Sequence, residues 1–281
     1  MDKLHNDVLI KLAIDLDLPD IIKWCSINKR FNKLTCENDI FWMNKFYNDY
    51  GKYPKNSDIT WKEFYKYVTI TEPNILLWKG VEENILSYVV VALKRGADIE
   101  HKKEIDQDLF TTPLSAASEN GYLEIVKYLV EHGADIEFNE NWPLWLSAAY
   151  GHLEVVKYLL ENGADIHAQG DLALFDASYN GDLEVVKYLI KHGANVDGHT
   201  LRAASENGKL EMVKYLVDHG VDVRDQQGDS ALISASLYGY LEVVKYLVRM
   251  GANVHAQNDQ ALRFARKNKQ VAVIEYLESL P

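Results

Sequence analysis

"TPLSAASENGYLEIVKYLVEHGADIE", residues 112–137, decides how this chain folds. Its second half recurs: "GYLEIVKYLVEHGAD" begins at Gly121, "GHLEVVKYLLENGAD" at Gly151 and "GDLEVVKYLIKHGAN" at Gly181. "GKLEMVKYLVDHGVD" follows at Gly208 and "GYLEVVKYLVRMGAN" at Gly239, so the spacings are 30, 30, 27 and 31 residues. A period in this range marks a stacked array of small units. A degenerate copy, "ALKRGADIE" (92–100), precedes the run, and a fading one, "KQVAVIEYLESL" (269–280), ends it.

Within one copy, Leu123, Val126, Leu129 and Val130 fall at i, i+3, i+6 and i+7, one apolar helix face. Glu124 and Lys127 sit one turn apart on the outside. Gly133 has the place of a glycine that ends a helix in the left-handed conformation. Upstream of each phrase lies a shorter helix: "TPLSAASEN", "WPLWLSAAY", "LALFDASYN", "HTLRAASEN", "SALISASLY" and "QALRFARKN". Small residues such as Ala116 and Ala117 let neighbouring helices approach closely. Each unit is thus a helix pair that buries its apolar face only by stacking on its neighbours.

Residues 112–137 resemble an ankyrin repeat almost word for word, and the resemblance spans roughly residues 75–281. It implies an all-α ankyrin solenoid of about six to seven units: 75–111 (degenerate), 112–141, 142–171, 172–198, 199–229, 230–259 and a C-terminal cap at 260–281. It also implies a surface that binds a target protein, with no chemistry of its own. The chain departs from the family in two ways. The hairpin fingers are clipped to "FNEN" (138–141), "AQGD" (168–171), Gly198 alone, "DQQGD" (225–229) and "AQND" (256–259), whereas the first, "HKKEIDQDLFT" (101–111), is long. The histidine of the family's TPLH motif is replaced by Ser115, Trp145, Phe175, Arg202, Ile233 and Arg263, so its inter-repeat hydrogen bonds must be replaced by packing or lost.

With short fingers, recognition is expected at the ends of the inner helices, which the family turns to its concave side. Those positions include Glu119, Tyr150, Tyr179, Glu206, Leu237, Tyr238 and Lys267. The long first finger adds Lys102, Lys103, Asp106, Asp108 and Phe110. Rigid aromatic side chains suit protein recognition, and packing against the adjacent finger is the alternative.

Three columns invite chemistry. His132, His192 and His219 recur in successive units, so they form a ladder instead of converging on a metal; each is expected to face its own helix C-terminus. Tyr128, Tyr158, Tyr188, Tyr215 and Tyr246 are either a binding ridge or half-buried packing. Asp135, Asp165, Asn195, Asp222 and Asn253 read as turn chemistry. There is no phosphate loop, nucleophile elbow or Cys/His ligand spacing, so no enzyme, metal or cofactor is expected.

The first eighty residues carry no such phrase. Asn6 or Asp7 can cap a helix through "VLIKLAIDL", with Val8, Leu9, Leu12 and Leu16 on its apolar side. Asp17 can cap a second helix with Pro19 in its first turn and Ile22 and Cys25 facing inward. Asn28 can cap a third, with Ile27, Phe31 and Leu34 on its seam, and "DIFWMNKFYNDYG" predicts a fourth carrying Ile40, Trp42 and Phe46. These apolar residues exceed what a lid requires, as a partner surface would show. Residues 3–47 resemble an F-box through Leu4, Asp7, Val8, Ile27, Phe31, Leu34 and Trp42, with His5 where the family commonly has proline. The resemblance implies binding to Skp1, through it to a cullin-based ubiquitin ligase, and a domain ending near residue 47. Leu9 and Pro19 belong to the same expected surface.

Residues 48–74 form a bridge in which Thr60 and Glu63 make a capping box, with Trp61, Phe64 and Tyr65 available for docking. An F-box followed by such repeats resembles the ankyrin families of giant amoebal DNA viruses, whose AT-rich genomes would match the abundance of Ile, Lys, Asn and Tyr. Two readings stay open: an adaptor joining a target to the ligase, or a scaffold whose head is a structural cap.

Composition limits the rest. A net charge of −12 with no basic run argues against nucleic acid and anionic membranes. No apolar run reaches membrane-spanning length, and "MDKLHNDVLI" lacks a signal-peptide pattern. Cys25 and Cys36, eleven apart, predict reduced thiols and an intracellular, cytoplasmic setting (the host cytoplasm for a viral protein). An array with irregular first and last copies predicts a monomer.

Overall fold

A computed structural model describes residues 10–11, 13–27, 31–53, 59–106 and 109–280. The expectations placed on Leu4, Asp7, Val8, Leu9, Leu12, Asn28 and Asp108 lie outside the described residues, as does the side chain of Ile27. The chain forms two compact units. One holds the described residues up to Ala117 together with Glu124–Ala134; the other holds Ser118–Leu123 and Asp135 onward.

The first unit opens with α1 (Leu18–Ile27), a π-helical turn (Asn32–Cys36), α2 (Asp39–Tyr50) and α3 (Trp61–Ile70). Helices α4 (Pro73–Glu82) and α5 (Leu86–Lys94) follow, then the antiparallel strands β1 (Lys103–Asp106) and β2 (Leu109–Thr111). The Asp17 side chain accepts from Asp20 N at 3.0 Å, and Asn38 caps α2 by accepting from Ile40 N and Phe41 N. Thr60 and Glu63 complete their capping box at the start of α3.

The hydrophobic centre of this unit is aromatic and runs across the expected boundary at residue 47. Phe46 meets Phe64 edge-on at 5.2 Å, and Trp42 meets Tyr65 at 5.3 Å. The Tyr65 hydroxyl donates to Asp49, which also pairs with buried Lys45 at 2.7 Å. Arg95 donates to the carbonyls of Val68 and Thr71, tying the end of α3 to α5.

Several sequence expectations change here. Phe31 and Trp42 are buried, and the Trp42 indole donates to the Cys36 carbonyl. They build the head's own core, so a direct partner contact by either is corrected. On α1 it is Ile21 that is buried while Ile22 is exposed; on α2 Phe41 is buried while Ile40 is exposed. The side chains of Cys25 and Cys36, expected as free thiols, lie against each other. Their Cα atoms lie 6.2 Å apart, within disulfide reach.

Helices α6 (Pro113–Glu119) and α7 (Leu123–Glu131) come next along the chain. The second unit continues with α8 (Phe138–Ala149), α9 (Leu153–Glu161), α10 (Ala168–Asn180), α11 (Leu183–Lys191) and α12 (Gly198–Glu206). It ends with α13 (Leu210–Asp218), α14 (Gln226–Tyr238), α15 (Leu241–Arg249), α16 (Ala256–Lys267) and α17 (Val271–Glu278). Inner helices α8, α10, α12, α14 and α16 stack side by side, each packed on the outer helix that follows it. The buried outer positions are Val155, Val156 and Leu159 and their equivalents; Val156 and Leu159 belong to the predicted stripe, Val155 joins them, and the stripe's ends, Leu153 and Leu160, are half-buried.

The clipped fingers are not hairpins. Asn139–Asn141, Gln169–Asp171 and Gln257–Asp259 are each three consecutive left-handed residues, with φ between 49° and 68°. A left-handed turn reverses the chain in three residues, and Asn, Asp and Gly tolerate it best. In two of them the last residue works as a clamp: Asn141 and Asp171 accept from the backbone N–H of Asp165 and Asn195, and Asp229, in the first turn of α14, does the same for Asn253. Neighbouring units are joined by bonds from Asn180 to the Ala149 carbonyl, Asn207 to Tyr179 and Gln270 to Leu237. These bonds supply connections that the absent histidine leaves unmade.

The glycine between inner and outer helix has φ of +71° at Gly121 and +69° at Gly208. A Cβ on Gly208 would lie 2.4 Å from the Tyr240 ring of the next unit, and one on Gly121 2.5 Å from His152. Gly208→Ala should therefore cost at least ~1 kcal/mol by urea denaturation, through backbone conformation and overlap together. Ser178 and Ser205 are buried with hydroxyls that have no protein partner, at the position where α8 carries Ala148. Ser178→Ala and Ser205→Ala should each stabilise by about 1 kcal/mol in the same measurement.

Candidate protein-binding face

The inner helices of the second unit end in a row of exposed side chains. Tyr150, Tyr179 and Tyr238 are 59%, 39% and 48% exposed, which is high for large rings beside a packed core. Lys267 is exposed, whereas Glu119, Glu206 and Leu237 are half-buried. The Tyr238 hydroxyl donates to Glu206 at 3.3 Å, and Arg202 reaches the other oxygen of Glu206 at 3.4 Å. One turn earlier, the Trp145 indole donates to Asp176 of the next unit. The small residues between these positions, Ala148, Ala177, Ala204 and Ala235, are buried and hold the helices close. The tyrosines therefore stand on rigid backbone, and their ordering costs little further entropy on binding.

The long first finger belongs to the first unit. Phe110, Ile105 and Leu109 are exposed on its hairpin, while Lys103 is drawn onto Glu82 and lies over the Trp78 ring. Lys102 and Asp106 are exposed on the same hairpin. Of the expected head surface, Pro19 is exposed and Leu34 half-buried.

The three columns resolve locally. His132, His192 and His219 each bond through Nδ1 to the carbonyl four residues back, at 2.7, 2.8 and 2.8 Å, and stack on a tyrosine at 3.9 Å. The carbonyl accepts, so Nδ1 carries the proton and each ring caps its own helix. Among the described residues no group of three His, Cys, Asp or Glu side chains could hold a metal ion. In the tyrosine column the rings are buried or half-buried, and burial raises the phenol pKa of Tyr128 and Tyr246. In the turn column Asp135, Asp165, Asp222 and Asn253 each accept from the backbone two residues on. Asn195 differs. Its side chain donates to Asp171 and meets His167, at the unit that lacks a finger.

That gap was legible as a spacing of 27, but the cleft it leaves was not. A cavity of about 310 Å³ lies between the left-handed turn Gln169–Asp171 and the start of α12, over Leu172 and Phe175.

A protein-family model described as "Ankyrin repeats (3 copies)" matches residues 79–170, 139–199, 174–258 and 201–278. The chain belongs to the ankyrin repeat family. Among solved structures, it resembles the human ASB11 ankyrin repeat domain at 23% identity and a TM-score of 0.59. The likeness covers 73% of this chain and 98% of that one and establishes the ankyrin fold. No curated protein matches the chain. Among the described residues no helix is long and apolar enough to cross a membrane.

Proximity of the Glu206 carboxylate raises the Tyr238 phenol pKa, because a negative neighbour disfavours the phenolate. Glu206→Gln should move Tyr238 ionisation to lower pH. A difference titration at the tyrosinate absorbance band, with Tyr238→Phe as the blank, measures it.

Proposed function

We propose that the ankyrin units hold a target protein along the inner-helix face. The observation that carries this reading is the row Tyr150, Tyr179 and Tyr238, three exposed rings on consecutive or near-consecutive units of a rigid stack. Aromatic anchors of this kind dominate the energetics of protein interfaces. Lys267 and the half-buried Glu119, Glu206 and Leu237 would form the polar and apolar surround of the same face. A chain carrying Tyr150→Ala, Tyr179→Ala and Tyr238→Ala should melt within a few degrees of the parent, since exposed substitutions cost little. It should lose proteins that the parent retains from a cell extract, read by quantitative mass spectrometry. Equal retention by both chains removes the face from consideration.

A second reading concerns the head. Exposed Ile22 and Ile40 support a partner surface there, and the resemblance to an F-box names Skp1 as the partner. In this reading the chain is an intracellular adaptor that brings the held target to a cullin ubiquitin ligase, and the recruited enzymes supply catalysis. The alternative is a scaffold whose head closes the array. Trp42→Ala does not separate the two, because Trp42 is core and its loss would disrupt the head. Ile22→Asp with Ile40→Asp does: the adaptor predicts micromolar Skp1 binding by the parent chain, weakened at least tenfold in this variant. No binding by the parent leaves the scaffold.

A further inference from the structure

The cleft beside α12 is the one recess whose origin is visible in the sequence. Every other unit places several residues between turn and inner helix, but here Gly198 alone remains and the spacing falls to 27. With the finger gone, the wall it would have formed is missing, and the floor of Leu172 and Phe175 is reached from outside. The rim carries Asp171 on one side, Asp197 and His199 on the other, and the exposed amide of Gln169 above.

The charges are one-sided. No lysine or arginine lines the cleft. Arg202, on the same helix as His199, is drawn to Glu206. Asp171 is saturated: it accepts from the Asn195 backbone at 3.1 Å, from the Asn195 amide at 3.0 Å and from His167 at 3.0 Å. Asp197 is exposed, and its Oδ1 caps α12 by accepting from Thr200 N at 2.9 Å and Thr200 Oγ1 at 3.0 Å. Oδ2 of Asp197 is directed to neither of these bonds. The recess thus combines an apolar floor with an aromatic edge, a carboxylate oxygen at the mouth and a second carboxylate behind it.

We propose that this cleft is a socket for an arginine side chain of the bound target. The aliphatic stem would cover Leu172, the planar guanidinium would stack on Phe175, and its N–H groups would donate to Asp197 Oδ2. Arginine suits such a site better than lysine, because its flat, weakly hydrated head stacks and donates in one plane. An acidic side chain would meet two carboxylates and no cation. The target then carries an arginine within reach of the row of tyrosines. This rests on the reading that the target lies along the inner-helix face.

The probe is acetylarginine methylamide, titrated at millimolar concentration into the full-length ¹⁵N-labelled chain. Amide shifts clustered at Gly170, Asn195, Gly198 and His199 are expected, with saturation. Asp197→Asn keeps the helix cap, since asparagine caps as well as aspartate, yet should weaken the local affinity at least fivefold; Phe175→Leu should do the same. The lysine analogue should bind at least threefold more weakly, and the glutamate analogue should leave these amides unmoved. Shifts spread over the acidic surface, or an Asp197→Asn response equal to the parent's, overturn the socket. The titration needs no target, so its failure is separable from failure of the tyrosine face, which extract retention by the triple tyrosine variant reports.

Discussion

Everything in the second unit depends on one close approach. The glycine that joins inner to outer helix lies directly beneath a side chain of the following unit, near enough that a β-carbon would overlap it. The contact fixes the spacing of the stack and brings the buried alanines of adjacent inner helices together. Because the same glycine also takes the left-handed conformation, no other residue satisfies both demands cheaply. The residue that covers it varies freely: His152, Asp182, Lys209, Tyr240 and Gln270 take turns. Backbone shape is conserved from unit to unit while the chemistry above it is not.

This explains which parts of the fold were readable. The phrase from Gly121 to Asp135 encodes a helix, its stop and its turn within fifteen residues, and nearly every such inference concerns contacts inside one unit. The i, i+3 pairs between glutamate and lysine, the histidine caps and the Asx turns form where local spacing places them. Interactions crossing from unit to unit were harder to see. The clamp from Asn141 to Asp165 joins residues 24 apart, and asparagine in a turn has many other uses. The cleft is further removed still, because it consists of residues that are absent. Its only trace is a short interval between glycines.

The head shows the opposite balance. Its helices were legible from caps and apolar spacing, but the choice between inward and outward faces failed at Ile21 against Ile22 and at Phe41 against Ile40. Adjacent apolar residues give no period to choose by, and short helices leave too few turns to settle the face. On α2 the aromatic partners brought from α3, beyond the head's expected end, hold Trp42 and Phe46 inside, and Phe41 packs edge-on against Trp42. Trp42 is consumed in packing on Tyr65 and Phe31 on Trp24, while Ile22 and Ile40 stay outside. A resemblance carried by large apolar residues therefore matches a core as readily as it matches an interface.

The clipped fingers link fold to function. A hairpin finger presents its own tip to a partner, whereas a three-residue left-handed turn has almost no side-chain reach and spends its last residue clamping the unit shut. Gln169 lends its amide to the carbonyls of Asn139 and Glu140, so even the turns are occupied with holding one another. In the proposed function, recognition by the second unit falls to groups that the stack leaves at its surface. These would be the tyrosines at the helix ends and the recess beside α12, both carried on packed helices. Shortening the fingers removes adaptable contact surface and replaces it with a rigid one. Such a surface selects its partner by fit and charge, and it gains affinity from having little left to order.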